Sequence, residues 1–158
     1  MRCRVALALL MCTVAVATPV FVEGSAAGAA EPNTTKGAVA AVKERLELIN
    51  DRQWDRLYKS LYPGQQAQIS PSAFAACSDE TYKGTTAKID DIVETHTEKV
   101  AVPGTTDNVK SVSVSFRGTA ETGPTTQQFR TTIHAIYADG RWRFALSQSE
   151  FDHCRQAT

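Results

Sequence analysis

Proton-transfer chemistry needs a carboxylate or imidazole placed beside a hydroxyl or a second donor, with its basicity tuned by burial. The side chains that can supply such a set are Asp55, Asp91, Tyr58, Tyr62 and Tyr137. Asp91 shares strand parity with Ile89 and Val93, which points it inward if the strand is regular, although a strand of mixed polarity can equally expose it. Tyr58 and Tyr137 share faces with Trp54 and Trp142, the pattern of core aromatics whose hydroxyls find a partner. Asp91 or Asp55 with Tyr58 is therefore the catalytic set on offer, and a weak one. His96 shares parity with Glu94 and Glu98 and reads as exposed. Asp152-His153-Cys154 lacks a second ligand pair at zinc-site spacing, so neither a metal nor another cofactor is expected. Phosphate-cradling glycine loops, a Gly-x-Ser-x-Gly elbow and a His-Glu-x-x-His run are all absent from the sequence. Asn33-Thr34-Thr35 is an N-glycosylation sequon, which matters only in a eukaryotic secretory route.

The N-terminus places Arg2 and Arg4 before the apolar run Val5 to Ala17, followed by the small residues Ser25 to Ala30. A charged start, a short apolar segment and small residues at a cut site are the marks of a secretory signal, here residues 1–30 with cleavage expected after Ala29 or Ala30. Val5 to Val22 is uncharged and just long enough to span a bilayer, but Thr13, Thr18 and Pro19 interrupt it and no stop-transfer charges follow. No stable membrane anchor is expected, and Cys12, behind Met11 and inside the apolar run, is badly placed for lipidation. The localisation expected is secreted or extracytoplasmic.

Removal of the signal takes Cys3 and Cys12 with it and leaves Cys77 and Cys154. An even pair in an oxidising compartment reads as a disulfide. Chain-entropy reasoning puts the stabilisation from closing so long a loop at about 4 kcal/mol. Of 17 basic and 17 acidic residues, the mature part keeps 15 and 16. With no basic excess to neutralise phosphates, nucleic acid is not an expected partner.

The elements that must position these groups follow from the apolar periods. Residues 31–35 read as a short linker and 36–158 as one domain. Thr34 or Thr35 can cap a helix from Lys36, with Val39, Val42, Leu46 and Ile49 on one face. Asn50-Asp51 ends it, and Trp54, Leu57, Tyr58 and Leu61 mark a second helix that Pro63-Gly64 stops. Ser70-Pro71 opens a third with Phe74 and Cys77 on one side, serine at the N-cap and proline at the first turn. From Thr86 the period changes to two. Lys88 to Val102, Lys110 to Arg117, Gln127 to Ala138 and Arg141 to Ser147 read as strands. Asp139-Gly140 between the last two is a two-residue hairpin signal that pairs Ala138 with Arg141, Tyr137 with Trp142, Ala135 with Phe144 and Ile133 with Leu146. That register puts Arg130, Thr132, His134, Arg141 and Arg143 on the face away from Trp142, which suits His134 to solvent or a partner surface rather than a pocket. Helices first, then long antiparallel strands, predict an α+β fold with N-terminal helices packed on a curved antiparallel sheet.

This order of parts resembles the NTF2-like (cystatin-like α+β cone) superfamily. The motifs that carry the resemblance are Asn50-Asp51-Arg52-Gln53-Trp54-Asp55-Arg56-Leu57-Tyr58, Leu61-Tyr62-Pro63 and Asp139-Gly140-Arg141-Trp142-Arg143-Phe144. The run Ser70 to Cys77, with a second cysteine near the C-terminus, is similar to small exported NTF2-like proteins of actinobacteria. The resemblance implies a pocket between the concave sheet face and the first helices, and homodimers formed through the outer sheet face. It fixes no activity, because the fold hosts enzymes and binding domains alike. The expected pocket is aromatic, built from Trp54, Tyr58, Tyr62, Tyr137, Trp142 and Phe144. The function expected is a non-catalytic domain binding a small apolar ligand or a partner protein. The alternatives are a proton-transfer enzyme of isomerase or dehydratase type and a sheet-face assembly module.

Overall fold

The computed structural model describes residues 30–157. The signal segment, Cys3, Cys12 and the apolar stretch Val5 to Val22 lie outside the described residues. Among the described residues no helix is long and apolar enough to cross a membrane.

Thr34 caps the first helix, α1 (Thr35–Asn50), its hydroxyl accepting from the Gly37 amide at 3.1 Å. The buried stripe is Ala38, Val42, Leu48 and Ile49, while Val39 and Leu46 are half-buried. The helix is rotated toward Ala38 because its first turn lies against the Trp142 indole: a Cβ on Gly37 would come within 2.7 Å of Nε1 and 2.4 Å of the Pro32 carbonyl. Past its end, the Asn50 amide donates to the Ala87 carbonyl (2.7 Å) and accepts from the Ala87 N–H (2.9 Å), standing in for a strand at the free edge of the sheet.

α2 (Trp54–Lys59) ends before Leu61, earlier than the apolar spacing predicts. Leu61 instead forms a parallel bridge to Phe144, with Phe144 N–H donating to Ser60 O and Tyr62 N–H to Phe144 O. Pro63 opens a single turn, α3 (Pro63–Gln66), and the fully buried Gln65 side chain bonds Pro103 O and both the N–H and the carbonyl of Leu146. α4 (Pro71–Thr81) begins as predicted, with Ser70 accepting from Ala73 N–H and Pro71 in the first turn. Its Phe74 and Cys77 are buried.

The four strands β1 (Thr85–Ala101), β2 (Asn108–Thr122), β3 (Thr125–Ala138) and β4 (Arg141–Phe144) form an antiparallel meander in the order β1-β2-β3-β4. The β3–β4 turn has Asp139 at φ 53° and Gly140 at φ 74°, the two left-handed residues a tight hairpin of this length requires. Its predicted pairs hold from Ala138–Arg141 to Ala135–Phe144. The expected Ile133–Leu146 pair does not form, because β4 stops at Phe144 and the chain turns into a fifth helix, α5 (Gln148–Gln156). That helix was not anticipated, although its capping box, Ser147 with Glu150 three positions on, stands in the sequence.

Two apolar clusters hold the fold. One joins Ala38 and Val42 of α1 to Val114, Phe116, Ala135 and Trp142 of the sheet. The other gathers Leu48, Leu57, Leu61, Ile69, Phe74, Phe144, Leu146 and Phe151 beneath the helices. The Cys77–Cys154 disulfide ties α4 to α5 across a Cα separation of 5.1 Å, as expected from the cysteine count. Such a crosslink belongs to an oxidising environment.

β1 departs from simple alternation. Register shifts between Ile89 and Asp91 and between Ile92 and Glu94 insert extra residues. A bulge changes which face the following side chains occupy. Ile89 stays in the core cluster, but Asp91 comes opposite Arg117 and is exposed, so the inward orientation read from parity is corrected.

Candidate functional site

The stripe of α1 that faces the sheet runs Ala38, Val42, Arg45, Ile49, so a cation occupies a position of core spacing. Its guanidinium stacks on the Phe144 ring, 4.1 Å from the centroid, and its Nε is buried with no hydrogen-bond partner. Cavities open on both sides of this residue.

The larger, about 880 Å³, lies between α1, the start of β1, α5 and the sheet. Its apolar wall includes Leu46, Ile49, Phe116, Phe129, Ile133 and Leu146. One polar region is Arg45 with Tyr82 and Glu150. Tyr82 follows α4, stacks on Trp54 with centroids 6.2 Å apart, and donates to Glu150 Oε1 at 3.4 Å. Burial raises the Tyr82 pKa above 10.0, and the nearby Glu150 carboxylate adds to this while Arg45 opposes it. For Glu150, burial pushes upward, but Arg45, the Ser147 amide and hydroxyl, and Tyr82 together outweigh it and hold the carboxyl below 4.5. The pair is thus kept as a neutral phenol beside a charged carboxylate.

A second polar group, Glu98 with Ser113 and His134, stands on the opposite face of the sheet, because Val114 and Ala135, their neighbours along β2 and β3, are the residues that face α1. The sheet register sets Ser113 between His96 and His134. Ser113 Oγ lies 2.9 Å from His134 Nδ1 and also donates to Glu98. Glu98 Oε1 lies 3.5 Å from the same His134 nitrogen and 3.3 Å from His96 Nε2. A relay would need the carboxylate and the hydroxyl on opposite nitrogens of the imidazole. Here both crowd Nδ1, and Ser113 is completely buried, so the group is not a nucleophilic triad. The Ser113 hydrogen bond leads in holding the Glu98 pKa below 4.5; desolvation opposes it, and His134 and His96 reinforce it. A carboxylate held charged in this way is a weak base.

The smaller cavity is a cleft of about 200 Å³ on the β4 side of α1. Val42, Leu48, Ile133, Ala135, Trp142 and Phe144 supply its apolar lining. Arg45, Arg56, Lys59, Arg141 and Arg143 line it together with Glu31 and Glu44.

The expected site residues do not converge. Of the six aromatics, Trp142 and Phe144 line the small cleft, and none lines the large cavity. Tyr58 donates to the carbonyls of Gln66 and Ile69, both at 3.0 Å, and packs on Phe74. Tyr62 bonds Asp107, and Tyr137 bonds the Glu31 carbonyl. The Trp142 indole donates to Pro32 O. These polar aromatics close the structure instead of opening a pocket. Asp55 is exposed in the first turn of α2, and Asp91 is ion-paired with Arg117 at 2.9 Å, so neither meets Tyr58 in a proton-transfer arrangement. His134, expected at a solvent or partner surface, lies on the sheet face away from Trp142 with its side chain 41% exposed, as that register predicts. Sequence reasoning passed over Arg45, Tyr82, Glu98 and Glu150. For Arg45 the available signal was a charge on the apolar stripe of α1, and for Glu150 it was the capping box. Among the described residues no group of three or more His, Cys, Asp and Glu side chains is arranged to hold a metal. A scan of the sequence against protein-family models returned no match, and a search of curated proteins returned none either.

Proposed function

We propose that the chain is an exported domain of NTF2-like type that acts by binding, without catalysis, and holds a small, mainly apolar ligand with one polar end. The observation that carries this reading is the cavity of about 880 Å³, a size usual for small-molecule sites. Leu46, Ile49, Phe116, Phe129 and Ile133 would cover the apolar body, and Arg45 with Glu150 would meet the polar end. The order of helices and antiparallel strands supports the kinship, and the disulfide supports export. Tyr82 and Glu150 of the wall bond each other, which favours binding over turnover.

A second reading, proton transfer, rests on a different set from the one first expected. Glu98 and His134 meet over Ser113 on the outer face of the sheet, so a substrate that displaced Ser113 from them would meet an acid–base pair. Under this reading Glu98→Gln abolishes turnover and leaves binding intact.

The test is native mass spectrometry of the exported protein, with N-phenyl-1-naphthylamine fluorescence as the binding assay. The wild type is expected to carry or take up an apolar molecule. Leu46→Trp, which fills the cavity from a half-buried position, is expected to lose that molecule while keeping its circular dichroism. A wild type that stays empty and leaves the probe dark would sink the proposal.

A further inference from the structure

The cleft on the β4 side of α1 differs from the large cavity in its charge balance. Five cations and two carboxylates line it, and both carboxylates are already engaged. Glu44 pairs with Arg56 at 3.2 Å, and Glu31 accepts the Trp142 N–H at 2.7 Å. Arg45 is shared with Glu150 on its other side, so an excess of two positive charges remains beside an apolar floor that includes Trp142, Phe144 and Ile133.

Buried donors are nearly always bonded, because one left bare loses its hydration without compensation. Among the described residues three buried side-chain donors have no partner, and two of them, Arg45 Nε and Arg143 Nε, belong to residues that border this cleft. Arg143 uses another nitrogen to bond the Lys59 carbonyl, which pins its head at the cleft wall.

We propose that this cleft is a second binding site, for a small organic carboxylate with a flat apolar body. The carboxylate would accept from the guanidinium and ammonium groups of the rim, and the body would lie on Trp142 and Ile133. Guanidinium forks match a carboxylate in shape as well as charge. Glu31 is an internal precedent, since its carboxylate already takes a backbone donor at the same rim. At about 200 Å³ the cleft is below the usual range for drug-sized ligands, roughly 300–1,000 Å³, which restricts it to a single ring or short chain.

The experiment is an amide and indole NMR titration of the exported protein with benzoate, with benzyl alcohol and inorganic phosphate as parallel arms. Benzoate is expected to shift the Trp142 indole and the Ile133 and Ala135 amides saturably. The exposed pair Lys59→Gln/Arg141→Gln should weaken it about tenfold or more, equivalent to ~1.4 kcal/mol. Leu46→Trp should leave benzoate binding unchanged, so the cleft stands or falls separately from the large cavity. The proposal is overturned if benzyl alcohol binds as well as benzoate, if phosphate alone gives the same saturable shifts, if the shifts fall at Phe129 and Tyr82 instead, or if nothing saturates.

Discussion

The two sides of α1 solve the same problem in opposite ways. On the side toward β1 and α5, the acidic and phenolic groups have internal partners: Tyr82 bonds Glu150, and Glu150 bonds Ser147. On the side toward β4, cations outnumber carboxylates and two guanidinium Nε atoms are bare. Arg45 borders both cavities. Internally satisfied groups are accounted for by the fold, so under the proposed binding role the large cavity would select mainly by shape and apolar area. Unsatisfied donors are not accounted for by the fold, and they assign an anion to the cleft. Size alone would have ranked the sites the other way for specificity.

The comparison can be broken most forcefully at Phe116, which is buried against α1, meets Phe129 edge to face at 6.0 Å and borders the large cavity. Phe116→Ala is expected to cost about 3 kcal/mol in urea unfolding, the lower end for a buried phenylalanine because one side of the ring already faces a void. It should enlarge the large cavity and leave benzoate binding at the cleft within twofold; a collapse of both sites would show that the two sides are one unit. Cutting the crosslink with Cys77→Ala/Cys154→Ala comes next, at about 2–4 kcal/mol. The disulfide holds α5, and hence Glu150, against α4, so probe binding should weaken in the large cavity before the cleft changes. A loss under about 1 kcal/mol would mean that packing alone fixes α5.

The smallest effect is in the acid limb of stability. Glu98 and Glu150 both have folded-state pKa values below 4.5. A depressed carboxyl contributes stability that is complete above its unfolded pKa and disappears as pH falls through the folded value. Below pH 4.5, therefore, both contributions fade. Glu98 sits among partly exposed groups, so its share should largely vanish in about 1 M salt, where the Debye length is ~3 Å. Glu150, beside the half-buried Arg45, should keep its share. Glu98→Gln and Glu150→Gln unfolding curves between pH 2 and pH 6, with and without salt, separate the two. Equal salt sensitivity would erase the distinction between the outer sheet face and the large cavity.

Much of the scaffold was legible because its signals are local. Thr34, Ser70-Pro71 and Asp139-Gly140 each act through atoms within a few residues, and each was found where its chemistry put it. The parity of β1 was not legible, because a bulge is set by how β2 pairs with it, and a single inserted residue reversed Asp91. The aromatic pocket misled for a related reason. A face shared along one helix or strand does not say what lies opposite, and the partners of Tyr58, Tyr62, Tyr137 and Trp142 are backbone or side-chain groups remote in sequence or in a neighbouring turn.

By itself the sequence determined the α+β class, the starts of α1, α2 and α4, the last hairpin and the cysteine pairing, all of which follow from periodicity, capping, turn conformation or counting. Only the tertiary structure decided which polar groups are satisfied. Ser113 and Glu98 are fifteen residues apart, and Tyr82 and Glu150 sixty-eight. Whether a buried donor has a partner depends on distances between such remote groups, and on that rest both the paired wall of the large cavity and the bare guanidinium nitrogens of the cleft.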